Sequence, residues 1–181
     1  MQYLGVDVGV AGGLALLDDA GAVLWAVKMP ATDADLFALL PRDALTIAVL
    51  EKVSASPQMG VTSAFTFGAG YGRCRMALAA ARIPFDELTP QTWQRRLGGL
   101  SGGDKQLLKA RAQQLYPTVR LTLATADALL LATVARRLHL VALDAEGATQ
   151  GPCERRIVVD HEQPLGGANG HCSDYRRSGL S

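Results

Sequence analysis

Three acidic side chains, each set in an apolar stretch, are the residues of this chain best suited to chemistry. Asp7 lies inside the apolar opening segment QYLGVDVG. Glu51 ends the apolar run LTIAVL, and Asp127 directly precedes the run ALLLA. An ionised carboxylate in an apolar strand loses several kcal/mol of solvation unless a cation compensates its charge. We therefore interpret the three acids as a divalent-metal site assembled from distant parts of a sheet.

Each acid taken singly also has a plainer structural explanation. Asp7 stands just before a glycine and could form a turn, whereas Glu51 could make a salt bridge. Asp127 could be an ordinary acid near a helix N-terminus, where the helix dipole favours negative charge. Only the three acids together favour the metal site.

The spacing of apolar runs, glycines and prolines predicts the elements that position these acids. Three short strands joined by glycine turns open the chain, and two further strands follow; we place the five at residues 2–8, 12–18, 22–28, 45–51 and 83–88. Capping residues and prolines set the bounds of the predicted helices at residues 33–40, 62–82, 90–97, 105–116 and 125–138. This order predicts an α/β fold, a mixed five-stranded sheet with helices on both faces.

Six short motifs follow one another along the first 140 residues. They are LGVDVG at 4–9, VLEKV at 49–53, TSAFTFG with YGR at 62–73, LTPQTW at 88–93, Asp104-Lys105, and ADALL at 126–130. In this order they resemble the motifs of RuvC-type Holliday-junction resolvases, and more closely those of the phage relatives of these enzymes. The resemblance implies a ribonuclease H-like nuclease domain over residues 1–143.

The resemblance also assigns roles to the acids. It implies that Asp7 bridges two Mg²⁺ ions, with Glu51 holding one and Asp127 the other, and that Mn²⁺ can substitute. Two hard cations held by carboxylates activate a water and neutralise charge on the leaving oxygen of a phosphodiester. Lys105 matches a basic catalytic position near the scissile phosphate. The implied activity is a magnesium-dependent endodeoxyribonuclease that resolves four-way or branched DNA.

The chain departs from the family pattern at one position. RuvC enzymes usually have a second ligand, Asp or His, one helical turn before the final Asp, and the matching residue here is Ala124. Water can complete the metal shell if three carboxylates suffice. Otherwise the protein is a catalytically weak or inactive module of the same fold that binds branched DNA. An actin-like sugar or acetate kinase, whose phosphate loop is similar, needs two such domains, for which 181 residues leave no room.

A local basic surface is expected although the formal net charge is only +1. That charge argues against a strongly basic nucleic-acid binder by composition, but not against a basic face. We predict contacts with DNA phosphates from Lys52, Arg73, Arg75, Lys105 and Lys109. A four-way junction with two-fold symmetry needs two sites related by the same symmetry, so we also expect a homodimer. Phe65 and Phe67 are predicted to pack in a core or dimer interface, and Trp93 in the core.

The remaining composition suggests where the protein acts and where the domain ends. No apolar run approaches the roughly 18 residues that span a bilayer, and no signal-type segment opens the chain, so we expect a cytoplasmic protein (host cytoplasm if phage-encoded) without a membrane partner. Three widely spaced cysteines argue against a disulfide framework. Residues 144–181 are predicted to form a flexible tail, and the spacing of Cys153, His161, His171 and Cys172 fits no zinc pattern.

Overall fold

The computed structural model describes residues 1–42, 45–99 and 104–147. Within these ranges the strands are β1 (Gln2–Asp7), β2 (Gly13–Leu17), β3 (Val23–Lys28), β4 (Thr46–Glu51) and β5 (Phe85–Leu88). The helices are α1 (Asp33–Leu39), α2 (Val61–Ala80), α3 (Pro90–Arg96), α4 (Lys105–Leu115) and α5 (Leu123–Gly147). None of these helices is long and apolar enough to cross a membrane.

The described strands form one sheet in the order β3-β2-β1-β4-β5. β1 pairs antiparallel with β2, and β2 pairs antiparallel with β3. β4 lies parallel to both β1 and β5. The prediction of a mixed five-stranded sheet with helices on both faces is confirmed. Because β1 and β4 are parallel neighbours, the acids that end these two strands lie at the same edge of the sheet.

Alternating side chains of the strands enter two separate hydrophobic cores. Tyr3 and Val49 point to the face covered by α5, where Trp93 of α3 and Leu108 of α4 also pack. The alternate residues of the same two strands point to the opposite face, which α1 and α2 cover. They include Leu4, Val6, Ala48 and Leu50. Successive side chains of a strand alternate between its two faces. Asp7 is an even number of residues from Tyr3, and Glu51 from Val49, so both acids lie on the face covered by α5.

Helix α5 packs directly against the middle of the sheet because Gly5 has no side chain. A Cβ atom at Gly5 would lie 2.0 Å from the carbonyl oxygen of Ala128 and 2.4 Å from the backbone nitrogen of Ala132. The residues of α5 from 128 to 132 are fully buried at this contact. The glycine in the motif LGVDVG thus fixes the depth at which α5, and Asp127 with it, sits on β1.

Helix α5 is longer than the predicted helix at both ends. Thr122 caps it, because Thr122 Oγ1 accepts from the Thr125 backbone N–H at 3.3 Å and Thr125 Oγ1 accepts from the Thr122 N–H at 3.0 Å. At the other end no proline or glycine interrupts the sequence before Gly147, so the helix continues past the predicted end at Leu138. It also passes the expected domain boundary at residue 143. Residues 148–181, with the expected tail and its cysteines and histidines, lie outside the described part.

Candidate active site

Asp7 and Glu51 are neighbours across the parallel pair β1–β4. In the register of this pair Gly5 lies opposite Val49 and Val6 opposite Leu50, and the acids occupy the next matching positions. Asp7 is only 5% exposed, whereas Glu51 is half-buried. Two acidic side chains therefore meet at the carboxyl edge of the sheet, one of them removed from water.

The position of Asp7 is electrostatically unfavourable for a carboxylate. The pKa of Asp7 is raised to about 8, first by burial and then by the negative charges of Glu51 and Asp127 and a hydrogen bond with Glu51, while Lys105 opposes the increase. Asp7 Oδ2 is buried without a hydrogen-bond partner. Charge at this atom is stable only with a proton or a cation beside it. Burial and the neighbouring acids therefore favour the protonated form of Asp7 over the charged form when no cation is bound.

Asp127 reaches the same edge from helix α5. The first turn of α5 lies against the strand pair β1–β2. In this pair Gly13 is opposite Asp7, and a Cβ atom at Gly13 would lie 2.5 Å from the carbonyl oxygen of Ala124 in α5. Asp127 is buried, and its Oδ2 lies 3.8 Å from Nζ of Lys105. Burial raises the pKa of Asp127 to about 6, although Lys105 lowers it. Asp127 is thus the acid of the site with a direct cationic neighbour.

The three carboxylates are close enough to affect pKa values within the site, but their side chains are not arranged as a preformed metal-binding cluster among the described residues. Among the described residues, no group of three or more His, Cys, Asp or Glu side chains is placed to hold a metal ion. The donor chemistry nevertheless fits a hard divalent cation. All three donors are carboxylates, the negative charges of Glu51 and Asp127 raise the pKa of Asp7, and Asp7 Oδ2 is a buried acceptor without a donor.

Trp93, predicted to be a core residue, is buried and also contacts the site. Its Nε1–H donates a hydrogen bond to Glu51 Oε1 at 3.0 Å. The motif LTPQTW gave the position of this residue on a helix after β5, but apolar patterning could not show that its one polar atom meets an acid 42 residues away. The signal available in the sequence was the indole itself, since a buried tryptophan N–H usually has an acceptor.

Two of the predicted phosphate-binding lysines lie at the same edge as the acids. Lys105 is the first residue of α4, which Asp104 caps by accepting from the backbone N–H groups of Gln106 and Leu107. Lys52 follows Glu51 directly, is exposed, and donates its backbone N–H to the Leu88 carbonyl at 2.8 Å. Lys109 is half-buried one turn further along α4.

The two predicted arginines occupy a different place. Arg73 and Arg75 belong to α2, which packs on the face of the sheet opposite to α5. Arg73 Nε lies 3.1 Å from Asp33 Oδ1, and the same side chain donates to the Pro30 carbonyl. Arg75 Nε lies 2.7 Å from Glu87 Oε1. The structure does not bring these guanidinium groups to the three acids, and both are engaged in ion pairs within the chain.

Comparison with known proteins establishes the fold. No family model and no curated protein sequence matches this chain. Among solved structures, RuvC of Thermus thermophilus is similar with a TM-score of 0.57 and 18% identity, over 78% of this chain and 97% of that one. The RuvC of T. thermophilus in complex with a Holliday junction substrate is also similar, with a TM-score of 0.57, 18% identity, and coverage of 77% and 96%. The chain has a RuvC-like, ribonuclease H-like fold.

Proposed function

We propose that this protein is a metal-dependent endonuclease that resolves four-way or branched DNA junctions. The observation that carries this proposal is Asp7, a buried carboxylate with an unpartnered oxygen beside Glu51 and Asp127. Without a ligand this arrangement destabilises the folded protein, so its presence at the strand edge of a RuvC-like fold favours a cation-binding role. The similar T. thermophilus structure that contains a Holliday junction supports branched DNA as the substrate.

Asp7, Glu51 and Asp127 would hold the metal, Mg²⁺ or in its place Mn²⁺. When bound, it supplies an activated water and neutralises charge on the leaving oxygen. The three carboxylates would provide the negative charge that attracts a divalent cation, and binding of the cation would favour the charged form of Asp7, with release of its proton to water. Lys105, whose side chain is 56% exposed, balances the charge of Asp127 and can also reach a phosphate from solvent.

Lys52 and Lys105 are the basic residues best placed to hold a DNA backbone at the site. Both are exposed, and both are fixed through the backbone, Lys52 by its bond to β5 and Lys105 by the capped start of α4. Lys109 extends the same surface along α4. Arg73 and Arg75 would bind DNA only away from the acids, after loosening their ion pairs. Phosphate contacts of this kind give affinity without sequence preference.

Helix α2 supports assembly into a homodimer. Val61, Phe65 and Met76 are 87%, 77% and 66% exposed, and Phe65 is therefore not a core residue of the described chain. They share one side of the helix with Gly68 and Gly72, where an added Cβ would meet nothing within 4 Å. An apolar stripe of this length is covered well by the same helix of a second copy, which also provides the two-fold axis that a symmetric junction requires.

A second candidate function has one specific observation in its favour. Ala124 lies on α5 one turn before Asp127 and next to the register partner of Asp7, yet it offers no ligand atom. The protein would then bind branched DNA and cut it slowly or not at all.

A nicking assay with Mg²⁺ on a four-way junction and a linear duplex separates these functions. Cleavage of the junction that stops on chelation supports the endonuclease. Tight junction binding without any cleavage, in Mg²⁺ or Mn²⁺, supports the binding module.

A further inference from the structure

We propose that Trp93 is a positioning residue that orients Glu51 for cation binding. The inference rests on the proposed function, because it concerns the site that would hold the metal. It starts from one contact, the 3.0 Å hydrogen bond from the indole Nε1 to Glu51 Oε1.

The fold holds the two partners in place by separate means. Helix α3 begins at Pro90 directly after β5, and Thr89 caps it by accepting from the Thr92 backbone N–H at 3.3 Å. The end of β5 is tied to the end of β4 by the bond from the Lys52 N–H to the Leu88 carbonyl. Trp93 therefore lies one turn into a helix whose start is anchored beside Glu51.

The surroundings of the indole make this bond persistent. Trp93 is 1% exposed and packs in the core beneath α5, so water does not compete for its N–H. The indole nitrogen is a donor only, does not titrate in the physiological range and cannot ligate a cation. It therefore occupies one lone pair of Glu51 Oε1 whether or not a cation is bound, and leaves Oε2 available as a ligand.

Glu51 needs such a support because its side chain is long and half-buried. Without the indole it is free to turn toward solvent or toward Asp7, with which it already shares a hydrogen-bonding interaction. Partners that orient metal ligands commonly change metal affinity by about 10- to 100-fold when they are removed. The hydrogen bond from Trp93 connects Glu51 directly to a side chain of the core.

The first test examines the hydrogen bond without any metal. In the full chain carrying Trp25→Phe, Trp93 is the only tryptophan, since the sequence contains two. We expect its indole N–H to exchange with solvent at least tenfold faster, and its NMR resonance to move, when Glu51→Ala is added. An indole signal that Glu51→Ala leaves unchanged would overturn the inference.

The second test measures affinity for Mn²⁺ by calorimetry in the absence of DNA. We expect Trp93→Phe to weaken binding about tenfold, and Leu97→Ala, which opens the same core without touching Glu51, to change it less than twofold. Benzothienylalanine at position 93 keeps the ring shape but replaces N–H by sulfur, and should weaken binding as much as Trp93→Phe; it serves as the second variant if Trp93→Phe does not fold.

The outcomes separate this inference from the proposed function. Unchanged affinity after loss of the N–H, with Mn²⁺ bound by the parent, refutes the positioning role alone. An equal loss in Leu97→Ala also refutes it, since general loosening of the core would then explain the effect. A folded parent that binds no Mn²⁺ refutes the proposed function and the positioning role together.

Discussion

Replacing Asp7 by Asn should stabilise the metal-free protein while removing its activity. The carboxyl of Asp7 is buried with one oxygen unpartnered, and its pKa rises from 3.8 to about 8 in the folded chain. The folded state therefore holds a proton that the unfolded chain releases above pH 4. The contribution of this proton to the free energy of unfolding is fully present below pH 4 and is lost progressively as the pH rises through 8. Asn carries no charge and avoids this loss.

The size of the effect follows from the shift in pKa. A difference of about 4 units, at 1.36 kcal/mol for each unit, sets an upper limit of about 5–6 kcal/mol at pH 8. Glu51 is half-buried, so water and side-chain movement at the site relieve part of this cost. We expect Asp7→Asn to gain about 2–3 kcal/mol over the parent at pH 8 and to differ little from it at pH 4.

Urea unfolding with a chelator at pH 4, 6 and 8, followed by circular dichroism, measures the difference. Asp86→Asn is the matched control, because Asp86 is exposed on β5 and its replacement should change stability by less than about 0.5 kcal/mol. With Mg²⁺ in place of the chelator the parent should gain stability and Asp7→Asn should not. An Asp7→Asn protein that is no more stable than the parent at pH 8 would refute this account of the buried carboxyl.

Three further predictions concern the neighbours of this carboxyl. Lys105→Ala should lower the cleavage rate more than junction binding, because its ammonium balances charge at Asp127 whereas affinity is spread over several basic groups; equal losses in both would show that it only tethers DNA. Gly5→Ala should cost more than about 3 kcal/mol in urea unfolding because its Cβ would meet the backbone of α5, while Gly70→Ala, with open space around it, should not destabilise. Ala124→Asp should raise activity at low Mg²⁺, and Ala124→His should do so with Mn²⁺; if neither alters metal dependence, position 124 does not face the metal.

The strands of the sheet, and the carboxyl ends of β1 and β4 at which Asp7 and Glu51 lie, were predictable from the sequence. Alternation and glycine turns marked the strands, and parallel neighbours necessarily bring their carboxyl ends together. The start of α5 is harder to predict from the sequence, because the reciprocal cap formed by Thr122 and Thr125 lies outside the apolar run of the helix. The residues after Leu138 are less buried, so they carry no clear apolar periodicity.

The contacts of individual polar side chains could not be predicted from patterns. By composition Arg73 and Arg75 resemble the other basic residues of the helical half, but the packing of α2 pairs them with Asp33 and Glu87, which are distant in sequence. The bond from Trp93 to Glu51 depends likewise on how α3 is anchored at β5. Such pairings are set by tertiary packing, which no local run of residues encodes.

The most direct test of the central claim is cleavage of a four-way junction labelled on two opposing strands. We predict paired nicks at symmetric positions in Mg²⁺, none with a chelator, and none with Asp7→Asn at equal junction binding. Nicking that persists with the chelator or with a pure Asp7→Asn preparation would contradict metal-dependent cleavage by this site, and so would a folded, junction-bound parent that cuts neither strand in Mg²⁺ or Mn²⁺.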